Sequence, residues 1–337
     1  MADKQLRQIG ERKAINIIES ILSNEKKKTE SSKYNLAVGI GDDCAALDFG
    51  NDYLLITTDM INVETHIPKG ATPWQIGWHI IAINLSDIAA KGGNPVAIVV
   101  SLGLPKDYAV SSFRNLAEGM RACTRKYNVV LAGGDTKENK QLTMCGTAIG
   151  VVPKENFMPR RGAKIGDIVA VTGKIGSAAA GYYMQKRNIA IKWKTSSELL
   201  LEKHPRIKEG VVLGKTMSVT SSIDMSDGLA SSIYQLSAIN GVGFEIDSEK
   251  IPASKEARIV AKKSGVSLQE LTLYFGGDYE LLVTVKKDRF EKVKKEVENC
   301  KTKFTPIGRV VRGKKNTIII NGKRTTLKNK GYEHFKK

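Results

Sequence analysis

The 337-residue sequence lacks the features that mark several common protein classes. Its four cysteines form no C-x-x-C pair and have no histidine at zinc-ligand spacing, so we expect reduced thiols and no zinc site. No apolar run approaches the roughly 20 residues that a membrane-spanning helix needs. The first residues lack the apolar segment of a secretory signal. We therefore expect a soluble, cytoplasmic protein without membrane contact.

The usual nucleotide-binding loops are also missing. No G-x-G-x-x-G segment follows a predicted strand, and the sequence contains neither H-R-D nor D-F-G. The segment GVVLGKT at 210–216 resembles a phosphate-binding loop, but three residues separate Gly210 from Gly214 where four are required. It also lies inside a predicted helix. If the chain uses ATP, we expect metal ions to hold the nucleotide.

Positive charge is in excess, with 53 Lys and Arg against 35 Asp and Glu. Such a balance is typical of nucleic-acid-binding proteins, which form the alternative class here. The lysines, however, lie in runs such as NEKKKTE without the interleaved aromatic residues that stack on bases. We therefore expect solvated lysine faces and no nucleic-acid partner. Salt-sensitive DNA or RNA binding that survives loss of the aspartates would support the alternative.

Length and pattern together predict a mixed α/β protein of two domains. Predicted strands and helices alternate along the chain, and the proline-, glycine- and charge-rich segment PKENFMPRRGAKIGD separates two units. We place an N-terminal domain at 1–152 and a C-terminal domain at 153–337. Apolar periodicity predicts an opening helix at about 6–22 and a helix over 197–218.

Aspartates recur where the predicted strands end. The positions are Asp42, Asp43, Asp59, Asp135 and Asp224. Any one of them could be a turn or helix-cap residue. Ligands of α/β proteins collect outside the carboxyl ends of strands, so the recurrence indicates a binding site.

Asp87 stands out because it lies within a predicted helix. It continues the stripe formed by Ile76, Ile80 and Ile83, so it lies on the face that the helix has to bury. A buried carboxylate needs a partner. Lys91, four residues later, could pair with it, but a bound metal ion is the more specific interpretation.

Several aspartates gathered in one place would repel one another unless divalent cations bound between them. The candidates are Asp43, Asp59, Asp87, Asp135, Asp224 and Asp227. Carboxylates without histidine or thiolate partners suit Mg²⁺, which in proteins commonly bridges to phosphate. Hydroxyls beside these aspartates, on Thr57, Thr58 and Ser226, could complete the coordination or donate to phosphate oxygens.

Eight ordered segments carry a resemblance along almost the whole chain. They are GIGDDCAAL, TTDMINVETH, INLSDIAAKGGNP, LAGGDT, RRGAKIGDIVAVTG, SIDMSDGL, GGDYELL and KGYEHF. This set resembles thiamine-monophosphate kinases of the aminoimidazole ribonucleotide synthetase-like superfamily. The resemblance implies a homodimer formed through the N-terminal domains, with ATP bound in a cleft between the two domains. It also implies transfer of phosphate from ATP to thiamine phosphate with several Mg²⁺ ions, which completes thiamine diphosphate biosynthesis.

The resemblance also implies roles for individual residues. Metal ligands would be Asp43, Thr57, Thr58, Asp59, Asp87, Asp135, Asp224 and Asp227; nucleotide contacts would be Gly134, Asp135, Arg160 and Ser226; substrate contacts would be His66 and Tyr332. No catalytic base is expected, because a phosphate monoester oxygen is already ionised near neutral pH. Positioning and charge neutralisation can then carry the reaction.

Two positions depart from the family pattern. The family segment GGEDYEL is GGDYELL here, so that Gly277 stands where a substrate-contacting glutamate is usual, with Asp278 or Glu280 as possible substitutes. Ile67 replaces the aromatic residue that usually follows His66. These differences leave open a second enzyme hypothesis, in which a related ATP-dependent enzyme of the superfamily acts on another acceptor.

Overall fold

The computed structural model describes residues 5–23 and 35–335. Within them, helices and strands are arranged around two sheets, one in each half of the chain. The mixed α/β class expected from the sequence is confirmed. None of the helices in these two ranges combines the length and apolar character that a bilayer span requires.

Among the described residues, the first half contains a six-stranded sheet and four α-helices. These are α1 (Leu6–Ile9), α2 (Glu11–Ser23), β1 (Leu36–Val38), β2 (Ala45–Phe49), β3 (Asp52–Asn62), α3 (Pro73–Ala90), β4 (Asn94–Leu104), α4 (Val110–Tyr127), β5 (Val130–Glu138) and β6 (Thr143–Pro153). The strand order is β1-β2-β3-β6-β4-β5, and only β4 and β5 run parallel. Strand β5 therefore lies at one edge of the sheet.

The second half contains a seven-stranded sheet and the remaining helices. These are β7 (Ile168–Thr172), α5 (Ser177–Lys186), α6 (Ser196–Leu201), α7 (Ile207–Lys215), β8 (Val219–Asp224), α8 (Leu229–Asn240), β9 (Gly243–Asp247), α9 (Lys255–Ser264), α10 (Leu268–Leu273), β10 (Leu281–Val285), α11 (Phe290–Glu298), β11 (Phe304–Val311), β12 (Thr317–Ile320) and β13 (Lys323–Thr326). The strand order is β13-β12-β9-β11-β7-β10-β8. All neighbours are antiparallel except β9 and β12.

Helix α3 is the central element between the two halves. Thr72 caps its N-terminus by accepting a hydrogen bond from the backbone N–H of Gln75, and Pro73 occupies the first turn. The helix ends before Gly92, whose φ of 73° is most easily adopted by glycine and where a Cβ atom would meet the carbonyl oxygen of Asn156. Because α3 packs on the first sheet, on α4, and on α7 and β8 of the second half, it is buried on nearly every side.

The two glycines of the GVVLGKT segment have a packing role. They lie on α7, which runs against α3. A Cβ atom at Gly210 would overlap the carbonyl oxygen of Ala89, and one at Gly214 would overlap the carbonyl oxygen of Asn156. A four-residue spacing places both glycines on one helix face, so α7 can approach α3 at Gly210 and the 154–156 segment at Gly214.

Two helix predictions need correction. The predicted helix at 6–22 is interrupted at Gly10, whose φ of 77° is not helical. The predicted helix over 197–218 is two helices, α6 and α7, separated by a segment that contains Pro205. Proline has no N–H to donate and disfavours helical backbone at the preceding residue, here His204, which explains the break.

Candidate active site

Three aspartates from distant parts of the sequence meet between the two halves. One carboxylate oxygen from each of Asp43, Asp87 and Asp224 lies within 4.8 Å of the others. Asp43 comes from the loop between β1 and β2, Asp87 from the last turns of α3, and Asp224 from the end of β8. The buried helix α3 thus places its one acidic residue next to one carboxylate from each half of the chain.

Neighbouring hydroxyl groups orient two of these carboxylates. Thr57 on β3 donates a hydrogen bond from Oγ1 to Asp87 Oδ2 at 2.5 Å. Ser86 on α3 donates from Oγ to Asp224 Oδ2 at 2.7 Å. The remaining lone pairs of both carboxylates are free to accept a cation, since an ionised carboxylate has about four acceptor sites.

Asp43 is held by two cationic side chains. Lys91 Nζ lies 2.8 Å from Asp43 Oδ2, and Arg160 Nε donates to Asp43 Oδ1 at 2.9 Å. Burial alone would raise the pKa of Asp43, but the charges of Arg160 and Lys91 bring it below its usual value. Lys91 therefore pairs with Asp43 and also with Asp42, at 2.6 Å, whereas the sequence had left pairing with Asp87 as the alternative to a bound metal ion.

The other carboxylates at the site are buried close to like charges, which raises their pKa values. Burial, followed by the charge of Asp59, raises the pKa of Asp87 well above its usual value. Burial and the charge of Asp43 raise the pKa of Asp224 to about 8. Burial and the charges of Asp227 and Asp43 raise the pKa of Asp59 to about 6. Like charges in a poorly hydrated place are relieved by a hard cation, so this donor set fits Mg²⁺.

Thr58 and Asp135 do not join this cluster within one chain. Thr57 and Asp59 point from β3 toward α3, so the intervening Thr58 points to the opposite face, where its hydroxyl donates to the carbonyl of Gly146 at 2.8 Å. Asp135 lies in the middle of the exposed strand β5, in register with Ser101, and its carboxylate lies 3.4 Å from the Lys137 ammonium.

The nucleotide candidates are spread around the cluster. Gly134 is separated from Asp59 by three strand spacings, roughly 14 Å across the sheet. Arg160 borders the cluster and also donates from Nη1 to Gln235 Oε1 at 3.0 Å. Ser226 is exposed in the turn between β8 and α8, next to Asp227.

The expectation that these aspartates follow strands holds for some and fails for others. Asp224 is the last residue of β8, and Asp43 lies in the loop that follows β1. Asp59 and Asp135, in contrast, lie inside β3 and β5, which extend beyond them to Asn62 and Glu138. Most strand neighbours are antiparallel, so carboxyl ends do not share one sheet edge as they do in a parallel sheet.

The substrate candidates His66 and Tyr332 are connected through His334, for which the sequence indicated no role. The His66 and His334 rings are 5.3 Å apart, and the Tyr332 and His334 rings are 4.8 Å apart. The backbone N–H of Tyr332 donates to the carbonyl of Asp227 at 3.2 Å, which ties this aromatic group to the carboxylate cluster.

Asp278 and Glu280 are occupied elsewhere. The Asp278 carboxylate caps helix α5, accepting hydrogen bonds from the backbone N–H groups of Gly176 at 2.6 Å and Ala178 at 3.0 Å. Glu280 is buried and accepts a hydrogen bond from Arg206 Nε at 2.6 Å. These contacts favour structural roles for both side chains, so the structure offers neither as a free carboxylate in place of Gly277.

Sequence reasoning missed two further side chains at the site. Arg12 on α2 donates from Nη2 to Ser231 Oγ at 2.7 Å and lies 4.0 Å from Asp227 Oδ2. Tyr279 has a φ of 54°, unusual for a residue with a side chain, and its ring lies 6.0 Å from that of His79. Neither shows a local sequence signal, because each reaches the site through a long-range contact.

Comparisons with known proteins identify the family of this chain. Residues 41–152 match the model of the AIR synthase related protein N-terminal domain, and residues 164–321 match that of the C-terminal domain. A thiamine-monophosphate kinase of Methanospirillum hungatei is 37% identical over 293 residues, which cover 87% of this chain and 92% of that protein. The chain belongs to the thiamine-monophosphate kinase family.

Other members of the thiamine-monophosphate kinase family match over nearly their full length. The Aquifex aeolicus thiamine-monophosphate kinase is 32% identical over 336 residues, which cover 98% of this chain and all of that protein. The structure of AaThiL complexed with AMPPCP and TMP superposes with a TM-score of 0.85 at 30% identity, covering 99% of this chain and 100% of that chain.

This thiamine-monophosphate kinase family member has a tightly packed loop at its GGDYELL segment. The backbone N–H of Gly277 donates to the carbonyl of Ser226 at 2.6 Å, and its φ of 89° strains any residue with a side chain. A Cβ atom at Gly276 would overlap the Ser226 carbonyl. The loop therefore lies directly on the turn that carries Asp227. Ile67, the other departure, packs partly buried against the core of the first half.

Proposed function

We propose that this chain transfers the γ-phosphoryl group of ATP to the phosphate of thiamine phosphate, producing thiamine diphosphate and ADP. The observation that carries the proposal is the convergence of Asp43, Asp87 and Asp224 between two sheets. The substrates are inferred from the similarity to thiamine-monophosphate kinases and from the nucleotide analogue and TMP named for the AaThiL complex.

The proposed reaction joins two anions. An oxygen of the acceptor phosphate forms a bond to the γ-phosphorus while the bond from that phosphorus to the β–γ bridging oxygen breaks, and this oxygen leaves on ADP. The acceptor oxygen is already ionised, so no side chain has to remove a proton. The difficulty lies in bringing two negatively charged groups together in line.

The carboxylate cluster meets this difficulty by holding several Mg²⁺ ions. We propose Asp43, Asp87 and Asp224 as ligands, with Thr57, Asp59 and Asp227 around them. When bound, Mg²⁺ neutralises phosphate oxygens and orients the transferred group. The hydroxyls of Thr57 and Ser86 fix two carboxylates before any ligand arrives, which reduces the reorganisation needed during transfer.

The acceptor is proposed to bind beside Asp227. His66, His334 and Tyr332 present three rings there, suitable for packing on the rings of thiamine phosphate. Arg12, about two-fifths exposed and next to Asp227, offers a guanidinium for a phosphate. We place the phosphates of ATP at Arg160, which borders the cluster, and at Ser226, which is exposed in the turn beside Asp227.

A homodimer is proposed from the exposed face of the first sheet. The face directed away from α3 and the edge strand β5 expose apolar side chains, namely Met60, Val96, Val99, Val130 and Leu131. Several exposed apolar side chains on one sheet face and its edge favour an interaction site there. Sedimentation equilibrium should report twice the 36.9 kDa chain mass, and a monomer mass would exclude the dimer.

An acceptor panel with ATP and Mg²⁺ tests the proposed function. Thiamine phosphate, thiamine and related phosphate monoesters are compared, with ADP and the phosphorylated product both quantified. ADP release matched by thiamine diphosphate should occur only with thiamine phosphate, and chelation of Mg²⁺ should stop it. Transfer to another acceptor, with no thiamine diphosphate formed, would select the related-enzyme hypothesis that Gly277 raises.

A further inference from the structure

Lys91 is a charged side chain with no exposure to solvent. It follows the last residue of α3 and has a relative exposure of 0%, which makes it the largest fully buried side chain of the described residues. An ammonium group removed from water is unfavourable unless each of its three N–H donors finds an acceptor. The contacts of Lys91 therefore indicate the role of this buried charge.

Lys91 makes two hydrogen bonds and one further ion pair. Its Nζ lies 2.6 Å from Asp42 Oδ1, 2.8 Å from Asp43 Oδ2 and 3.0 Å from the carbonyl oxygen of Ser222. Asp42 and Asp43 belong to the loop before β2, and Ser222 belongs to β8 of the second sheet. One side chain thus joins three separate elements.

These three elements are the ones that carry the cluster. Asp43 is itself a member, Ser222 precedes Asp224 by two residues, and Lys91 follows Asp87 by four on the same helix end. The ammonium contacts the oxygen of Asp43 that Arg160 leaves free. Asp43 therefore has a cationic side chain beside each of its two oxygens.

We infer that Lys91 is a built-in cation of the carboxylate cluster, which neutralises Asp42 and part of Asp43 and so limits the affinity of the cluster for divalent ions. It is a positioning residue, since it acts through Asp43 and touches no substrate. The inference rests on the proposed binding of Mg²⁺ at the cluster but not on the identity of the acceptor.

Titration calorimetry of metal-free protein with Mg²⁺ tests the inference. Lys91→Met keeps the length of the side chain and removes its charge, which should tighten Mg²⁺ binding roughly tenfold, since a positive charge a few ångströms from the ion is gone. The metal-free variant should melt at a lower temperature than wild type, and Mg²⁺ should raise its melting temperature by more than it raises that of wild type.

Companion variants separate charge from packing. Lys91→Arg retains the charge and should bind Mg²⁺ as wild type does, and Lys91→Gln provides a neutral variant that keeps a hydrogen-bond donor should Lys91→Met not fold. The exposed Lys106→Met is the matched control and should change nothing. Unchanged or weaker Mg²⁺ binding in the neutral variants overturns the role of Lys91. Absence of binding in wild type overturns the metal site itself.

Discussion

Replacement of Asp87 by asparagine should lower the rate of phosphoryl transfer on the order of 10³-fold, since loss of one charge-stabilising group from a preorganised site has effects of this size. Asp87 is the central member of the cluster, contacted by Thr57 and close to both Asp43 and Asp224. Steady-state kinetics with ATP, Mg²⁺ and thiamine phosphate measures the loss.

The same variant should be more stable than wild type when metal is absent. Burial and the charge of Asp59 raise the pKa of Asp87, so its negative charge opposes folding. Removing that charge should stabilise the metal-free fold by about 1–3 kcal/mol in urea unfolding. The exposed Asp107→Asn is the control, with both quantities unchanged. Near-normal activity of Asp87→Asn would show that Asp87 plays no part in transfer.

The metal-free protein should lose stability as pH rises from 6.5 to 8. Burial and the charge of Asp43 raise the pKa of Asp224 to about 8, above the 3.8 of an unperturbed aspartate. A group whose pKa is higher in the folded state binds its proton more tightly there, so its contribution is present at low pH and disappears as pH passes the folded value. The expected loss is roughly 2 kcal/mol across this range.

Other groups set the limits of this pH window. Burial and the charge of Lys203 lower the pKa of His79 to about 3, so that stability gained from His79 with rising pH is complete by about 6.5. Burial lowers the pKa of Lys203 to about 8. Titration of Lys203 therefore makes stability rise with pH only above about pH 8. Between 6.5 and 8 the slope therefore reports mainly on the aspartates.

Mg²⁺ should reverse the effect. Urea unfolding at pH 6.5 and 8, with a chelator or with millimolar Mg²⁺, should show the larger stabilisation by Mg²⁺ at pH 8, because binding requires deprotonated carboxylates. Asp224→Asn should make the metal-free profile less steep. A wild-type profile equally flat with and without Mg²⁺ would show that the carboxylates do not repel one another as described.

The site could be predicted in part because some signals are local. Asp87 interrupts a stripe of buried isoleucines, and a charge on a buried helix face indicates a function whatever surrounds it. Asp43 and Asp224 likewise border strands that the apolar pattern marks. For these three residues, the apolar patterns of the predicted helix and strands were sufficient to propose a common site.

The remaining features depend on contacts between distant residues. Thr58 faces away from the cluster because side chains alternate along β3, and Asp135 lies far from it because β5 pairs at the opposite edge of the sheet, which no local signal indicates. Helix spacing allowed Asp87 as a partner of Lys91, as the alternative to a bound metal ion, whereas in the folded chain Lys91 pairs with Asp42 and Asp43. Such pairings follow from the placement of one sheet against another.

The most direct test of the account is a crystal structure of the chain with Mg²⁺, a non-hydrolysable ATP analogue and thiamine phosphate. The account predicts Mg²⁺ ligated by Asp43, Asp87 and Asp224 and bridging to the γ-phosphate, with the acceptor phosphate in line beside Asp227. Nucleotide and acceptor bound elsewhere, with these three carboxylates holding no ion, would contradict it.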